Sequence, residues 1–149
     1  MSPEIVAVQP AHAEVLEALH KRCFETAWSA EVFTNLLNTP RTYGFLSLTE
    51  NTPNGFILLR SAAGEGEILI IGTDPAARRQ GLATHLLTAG EIEAKERGSE
   101  KLFLEVADDN RAAIAFYRRN GFKKTGLRPK YYKRADGSRA DALIMNKIL

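Results

Sequence analysis

The chain has 149 residues, with 20 basic and 18 acidic side chains, a net charge of +2, and 44% hydrophobic residues. This length and composition fit one globular domain, residues 1–149, with a full-sized core. The balanced charge argues against direct nucleic-acid or membrane partners, and one cysteine, Cys23, excludes an internal disulfide. Without a signal-peptide pattern or an apolar run approaching about 18 residues, we expect a cytoplasmic protein.

The first 40 residues predict one short strand and two helices. The strand covers residues 5–8, and a helix over residues 10–24 follows, with apolar side chains recurring at spacings of three and four. Cys23 lies on that apolar face, which favours a buried structural thiol over a nucleophile. Ser29 is a suitable N-cap for the second helix, which ends before Pro40.

Three consecutive antiparallel strands are predicted next. Residues 43–48 and 56–60 have strand patterns, and the turn ENTPNG between them ends in Asn54-Gly55, a strong hairpin signal. A second turn, AAGEG, leads into a strand over residues 67–73.

The second half of the chain alternates helices and strands. The predicted elements are a helix over residues 82–97, a strand over 101–107, a helix over 111–120, and strands over 122–127 and 142–148 separated by the loop PKYYKRADGSR. Because a helix crosses over between the strands ending at Thr73 and starting at Lys101, those strands should be parallel neighbours. The prediction is an α+β fold, an α/β sandwich in which helices cover both faces of a mixed, mostly antiparallel sheet.

The segment DPAARRQGLA, residues 74–83, has the features of an anion site. It joins a strand to a helix, whose first turn leaves backbone N–H groups without partners. Gly81 allows close approach to the backbone, and Arg78 and Arg79 add positive charge. The alternative is an ordinary turn with solvated arginines. Since neither GxxxxGK[ST] nor GxGxxG is present, a nucleotide triphosphatase or a dinucleotide enzyme is disfavoured.

Two motifs in this order resemble the GNAT superfamily of N-acetyltransferases. RRQGLA is similar to its R/Q-x-x-G-x-G/A motif, and residues 110–122 match N-x-x-A-x-x-F/L-Y-x-x-x-G-F. The resemblance implies the GNAT fold with a splayed parallel strand pair, and acetyl-coenzyme A as co-substrate. It also implies the cofactor-binding residues Ile71, Gly72, Thr73, Arg78, Arg79, Gln80, Gly81, Leu82, Ala83, Thr84, Asn110 and Tyr117.

Within that superfamily, the chain resembles the RimI family of N-terminal alanine acetyltransferases. The resemblance rests on AWS at residues 27–29, on the pattern E-V-x-x-x-N-x-x-A-I-x-x-Y from Glu105 to Tyr117, and on YYKRADGSRADALIM at residues 131–145. It implies direct attack by the amine in a ternary complex, with Glu105 as general base and Tyr117 as general acid. The residue pattern alone favours an ordinary half-buried strand in which Glu105 is on the solvent-exposed side.

The chemistry of acetyl transfer suits these roles. A peptide α-amine, with a pKa of about 7.7–8.0, needs only a modest base to become a neutral nucleophile. The leaving thiolate gains from a nearby proton donor such as a tyrosine. A backbone N–H must stabilise the developing oxyanion, and Gly72 or Thr73 is the expected donor.

The acceptor site is less well specified. Trp28, Tyr131 and Tyr132 are candidate substrate residues, although each could instead be a packing residue. The basic residues between Lys130 and Arg139 could be a solvated hairpin or could contact an acidic or ribosomal partner. The alternatives to a protein N-terminus are a lysine or small-molecule acceptor, or a non-catalytic acyl-coenzyme A sensor. The spacing of the three histidines predicts no metal site. We expect the protein to be a monomer or a weak homodimer.

Overall fold

The computed structural model describes residues 3–24, 27–78 and 81–149. Its strands are β1 (Glu4–Ala7), β2 (Thr42–Thr49), β3 (Thr52–Ala62), β4 (Glu65–Thr73), β5 (Lys101–Ala107), β6 (Lys123–Lys133) and β7 (Arg139–Ile148). Its α-helices are α1 (Ala13–Cys23), α2 (Ala30–Leu37), α3 (Leu82–Glu96) and α4 (Arg111–Arg119). No helix in the described ranges has the length and apolarity needed to cross a membrane.

The strands form one mixed sheet in the order β1-β2-β3-β4-β5-β7-β6. All neighbouring strands are antiparallel except β4 and β5, which are parallel because α3 crosses over between them. The predicted α+β sandwich with one parallel pair is therefore confirmed.

The parallel pair is joined over only three residues on each strand. Glu65, Gly66 and Glu67 pair with Lys101, Leu102 and Phe103, respectively, and the pairing then ends. Beyond this point β4 remains paired with β3, and β5 remains paired with β7. The two strands therefore separate toward their C-terminal ends, and we call the opening between them the sheet gap.

Two hydrophobic clusters cover opposite faces of the sheet. Alternate residues of β3 show the division, since Ile57 and Leu59 belong to the α3–α4 cluster whereas Phe56 and Leu58 belong to the α1–α2 cluster. The α3–α4 cluster includes Leu86 and Leu87 of α3 and Ile114 and Tyr117 of α4. The α1–α2 cluster includes Leu16 and Leu19 of α1 and Phe33 of α2. Each face therefore has its own helical layer.

The first hairpin turn lies within the predicted segment ENTPNG, but the chain does not reverse at Asn54-Gly55. The chain reverses at Glu50 and Asn51, which both have positive φ, as a type I′ turn requires. Asn54 lies instead inside β3, where the register shifts against Ser47 and Leu48. Its buried amide accepts a hydrogen bond from the Ser47 hydroxyl and donates one to Thr49. These side-chain partners stabilise Asn54 within the sheet.

The predicted loop PKYYKRADGSR is also partly wrong. Residues 129–133 extend β6, and the connection to β7 covers only residues 134–138. A wide irregularity between Arg128 and Tyr132 interrupts the pairing with β7, and Lys130 there has a positive φ. A bulged edge strand tolerates turn-forming residues, so its sequence pattern resembles that of a loop.

His20 is buried in the α1–α2 layer, with 2% of its surface exposed. Its ring stacks between those of Phe24 and Trp28, at centroid distances of 4.5 and 5.0 Å, and meets Phe33 edge-on. Its Nδ1 accepts a hydrogen bond from the Trp28 backbone N–H at 3.0 Å, so this nitrogen carries no proton. Burial lowers the pKa of His20, which keeps the ring neutral.

We expect His20 to make folding stability depend on pH. Its pKa is lower in the folded chain than the unfolded value of about 6.5, so its contribution is complete above about pH 6.5 and decreases below it. In urea unfolding at pH 7 and pH 5, His20→Asn should show a smaller pH-dependent loss of unfolding free energy than the wild type. Asparagine keeps an acceptor near the Nδ1 position.

The matched control is His85→Gln, because His85 is exposed on α3. This variant should retain the wild-type difference between the two pH values. A wild-type difference in His20→Asn would show that another group causes the acid sensitivity.

Candidate active site

A cavity of about 720 Å³ lies where the sheet gap opens. The end of β4, the end of α1, the start of α3 and one side of α4 form its walls. Of the predicted cofactor-binding residues, the lining includes Ile71, Gly72, Thr73, Arg78, Gly81, Leu82, Ala83, Thr84, Asn110 and Tyr117. The structure thus brings both halves of the predicted site to one cavity. Arg79 and Gln80 lie outside the described residues.

The start of α3 presents backbone donors to this cavity. Gly81 is the N-cap residue, has a φ of +74°, and provides no side-chain cap. The first-turn N–H groups of Leu82, Ala83 and Thr84 consequently have no partner within the helix. Together with the helix dipole, they favour an anion at this position. Arg78 and Arg119 add positive charge, and the described lining contains no acidic side chain.

The end of β4 forms a second wall, in which Gly72 allows tight packing. A Cβ on Gly72 would lie 3.1 Å from ring atoms of both Phe24 and Phe56. The Cys23 thiol donates a hydrogen bond to the Thr73 carbonyl at 3.2 Å. Since β5 no longer pairs with this part of β4, backbone groups on that edge can bind a ligand.

Tyr117 lies on the α4 wall and is only 5% exposed. Its ring makes edge-on contacts with Phe116 and Phe122, at centroid distances of 5.3 and 5.4 Å. Burial raises the pKa of Tyr117 far above its ordinary value, so the hydroxyl keeps its proton at neutral pH. Asn110 begins the same helix, and its side-chain oxygen accepts a hydrogen bond from the Ala113 N–H at 3.2 Å. The cap fixes the start of α4, and Tyr117 is two turns further along.

Glu105 is on β5 but does not line this cavity. Its neighbours Leu104 and Val106 are buried in the α3–α4 cluster with Tyr117, so alternation directs Glu105 to the α1–α2 face. Only 16% of its side chain is exposed, and one carboxylate oxygen lies 3.0 Å from an Arg128 guanidinium nitrogen. Glu105 and Tyr117 are thus on opposite faces of the sheet, with the sheet gap beside them.

The acceptor-site candidates divide into two groups. Tyr132 donates a hydrogen bond from its hydroxyl to the Glu105 backbone carbonyl at 3.1 Å. Burial and the Glu105 carboxylate raise the pKa of Tyr132. Tyr131 contacts the Tyr132 ring edge-on and is 49% exposed. Trp28 instead packs against His20 and Phe33, in agreement with a packing role between the first two helices.

Sequence reasoning missed part of the cavity lining, namely Cys23, Phe24, Ala77, Ala112, Ala113, Phe116 and Arg119. Ala113 and Phe116 are positions of the N-x-x-A-x-x-F motif and could have been included. Phe24 and Arg119 had no comparable signal. Cys23 was expected to be buried, yet it is only half-buried and faces the cavity. Burial and the nearby Asp74 carboxylate raise its pKa, which disfavours the reactive thiolate.

Comparison with known proteins identifies the family. The model of the Acetyltransferase (GNAT) family matches residues 13–122. The chain belongs to this family. It is an N-acetyltransferase that uses acetyl-coenzyme A as co-substrate, as the two motifs had implied.

Two of the relatives are named as N-terminal acetyltransferases. The chain is 35% identical to the [ribosomal protein bS18]-alanine N-acetyltransferase of Escherichia coli over 128 residues, covering 85% of this chain and 84% of that enzyme. It is 33% identical to the N-alpha-acetyltransferase RimI of Mycobacterium tuberculosis, covering 96% of this chain and 90% of the relative. The crystal structure of the Escherichia coli ribosomal-protein-alanine N-acetyltransferase superposes with a TM-score of 0.91 at 29% identity, covering 99% and 94% of the two chains.

The volume and charge of the cavity suit acetyl-coenzyme A. Its volume lies within the range of about 300–1,000 Å³ that is usual for small-molecule sites. The start of α3 and the two arginines suit phosphate groups, whereas the apolar lining near Ile71 and Phe116 suits the pantetheine arm. Within the described ranges, no cluster of three or more histidine, cysteine or acidic side chains could hold a metal ion.

We propose that Gly81 allows the cofactor to approach the start of α3, and Gly81→Ala tests this. The added methyl group would have no protein atom closer than 4.0 Å, but the positive φ costs a non-glycine residue about 1–2 kcal/mol. The methyl group would also occupy space next to the bound pyrophosphate. Calorimetric titration should show coenzyme A affinity reduced at least about tenfold, or about 1.4 kcal/mol.

Gly98→Ala is the matched control at the other end of α3. Gly98 has a φ of +90° and open space around it, so the backbone cost is comparable. This variant should melt at a lower temperature than the wild type but bind coenzyme A normally. Equal binding by both variants would exclude close approach at Gly81.

Proposed function

We propose that the protein acetylates the N-terminal amine of another protein, with the alanine terminus of a ribosomal protein as preferred acceptor. The names of the relatives support this acceptor class. The observation that carries the proposal is the position of Glu105, beside the sheet gap and on the face opposite Tyr117. An acceptor on the α1–α2 face could reach a thioester in the gap without displacing the cofactor.

Glu105 is proposed as the general base. A terminal ammonium group must lose its proton before the nitrogen can attack the thioester carbonyl carbon. The Glu105 carboxylate receives that proton, directly or through a water molecule. Because its side chain is only 16% exposed, bulk water screens its charge less than it would at the surface.

Tyr117 is proposed as the general acid on the other face. When the carbon–sulfur bond breaks, the leaving sulfur takes the electron pair, and the Tyr117 hydroxyl donates a proton to it. Burial raises the pKa of Tyr117, so the hydroxyl is protonated at neutral pH and carries a proton when the sulfur becomes negative. A backbone N–H of Gly72 or Thr73, on the unpaired edge of β4, stabilises the carbonyl oxygen.

The start of α3 is proposed to bind the pyrophosphate, and the other cavity residues the rest of coenzyme A. Arg79 and Gln80 are also proposed to bind coenzyme A, because of their positions in the motif RRQGLA. Tyr131 and Tyr132 are proposed to contact the acceptor peptide, because the Tyr132 hydroxyl is hydrogen-bonded to the Glu105 carbonyl and Tyr131 is adjacent to it on β6. A lysine or small-molecule acceptor, or a role as a sensor, has no comparable support.

The test is release of coenzyme A thiol with a set of matched acceptors. A peptide starting with alanine, as in the ribosomal protein, should react fastest. The same peptide with a blocked N-terminus and an internal lysine should react at least about tenfold more slowly, as should a polyamine and an aminoglycoside. Equal or faster reaction of the blocked lysine peptide would contradict the proposal.

The same assay with Glu105→Gln examines the chemistry. Loss of a general base should reduce kcat by about 10²–10⁴. Coenzyme A binding should remain normal, because Glu105 does not line the cofactor cavity. Glu100→Gln, at an exposed position just before β5, is the control and should keep wild-type turnover. Unchanged turnover in Glu105→Gln would remove Glu105 from the role of base.

A further inference from the structure

The ion pair between Arg128 and Glu105 has two unequal partners. The side chain of Arg128 is 52% exposed, whereas that of Glu105 is 16% exposed, and the two charged groups are 3.0 Å apart. A carboxylate with little access to water needs a counter-charge, whereas an exposed guanidinium can be solvated by water alone. The pair therefore matters more for Glu105 than for Arg128.

The irregular part of β6 places Arg128 at this position. Arg128 pairs with Ala142, and Glu105 pairs with Ile144 two residues further along β7, so both side chains lie on the same face. The Arg128 guanidinium also lies 4.8 Å from the centre of the Tyr131 ring. This cation–π contact gives Arg128 a second partner that does not involve Glu105.

The backbone of Glu105 is held independently of its carboxylate. The Tyr132 hydroxyl donates a hydrogen bond to the Glu105 carbonyl at 3.1 Å, and β5 is paired with β7 from Lys101 to Ala107. Arg128 can therefore leave the carboxylate without displacing the strand.

We propose that Arg128 occupies the position of the acceptor ammonium group until the acceptor binds. This inference rests on the proposed function, in which Glu105 is the base. The arriving ammonium group has the same charge as the guanidinium and competes for the same carboxylate. Arg128 then moves toward solvent, and the ammonium group takes its place beside the carboxylate. The exchange favours acceptors with a free, charged terminus.

The energetic cost of the exchange is small. The arriving ammonium group replaces the guanidinium as the counter-charge of Glu105, and Arg128, which is more than half exposed, is solvated by water. The competition should therefore weaken acceptor binding by no more than about fivefold. An effect of this size is measurable in KM, and removal of the charge should reverse it.

Arg128→Gln is the main test, with steady-state kinetics on the peptide that starts with alanine. The KM for this peptide should fall about two- to fivefold, and kcat should not decrease. The KM for acetyl-coenzyme A should remain unchanged. Arg128→Lys keeps the charge and should stay closer to the wild type than Arg128→Gln.

Lys124→Gln is the matched control, because it removes one positive charge from the same strand. Lys124 pairs with Met145, whose side chain belongs to the α3–α4 cluster, so position 124 faces away from Glu105. Its KM for the peptide should equal that of the wild type. An equal decrease in both variants would indicate a general charge effect and overturn the proposal.

Two other results would also overturn it. A higher peptide KM together with a lower kcat in Arg128→Gln would mean that Arg128 binds the acceptor or orients Glu105. Wild-type kinetics in Arg128→Gln would mean that the ion pair does not compete with the acceptor. In both cases the wild-type enzyme still acetylates the peptide, and the proposed function stands. Absence of turnover in the wild type would instead contradict the function, and this inference with it.

Discussion

The early end of pairing between β4 and β5 is the constraint on which the active site depends. Only three residue pairs join these strands, and each strand then continues with its other neighbour. A fully paired sheet would separate its two faces with an unbroken hydrogen-bond network. Here the network has an opening in the middle of the sheet, and unpaired backbone groups of β4 line it.

The opening explains how two residues with related proposed roles can lie on opposite faces of the sheet, in different environments. Tyr117 belongs to the α3–α4 layer and faces the cofactor cavity, whereas Glu105 points to the α1–α2 layer and contacts Arg128. The two groups have different access to solvent and different neighbours. Tyr117 lies among aromatic rings, whereas the Glu105 carboxylate lies beside a guanidinium group.

The arrangement of helices and strands was largely predictable from hydrophobic periodicity, and the parallel pair followed from the helical crossover. The two motifs also led to most of the cavity lining. The hairpin turn within residues 50–55 was predictable. Its reversal at Glu50-Asn51 was not, because the stronger turn signal, Asn54-Gly55, is stabilised within the sheet by Ser47 and Thr49. Arg128 was not predicted as a partner of Glu105, because the pairing of β6 with β7 sets their proximity. Long-range register of this kind has no local sequence signal.

In the proposed complex, the cofactor enters the sheet gap and does not merely bind over the start of α3. Backbone hydrogen exchange with and without coenzyme A tests this most directly. We predict slower exchange both at residues 82–84 of α3 and at residues 71–73 of β4, with no change in β1. Protection confined to α3, with β4 unaffected, would contradict the claim, because it would mean that the sheet gap is not part of the binding site.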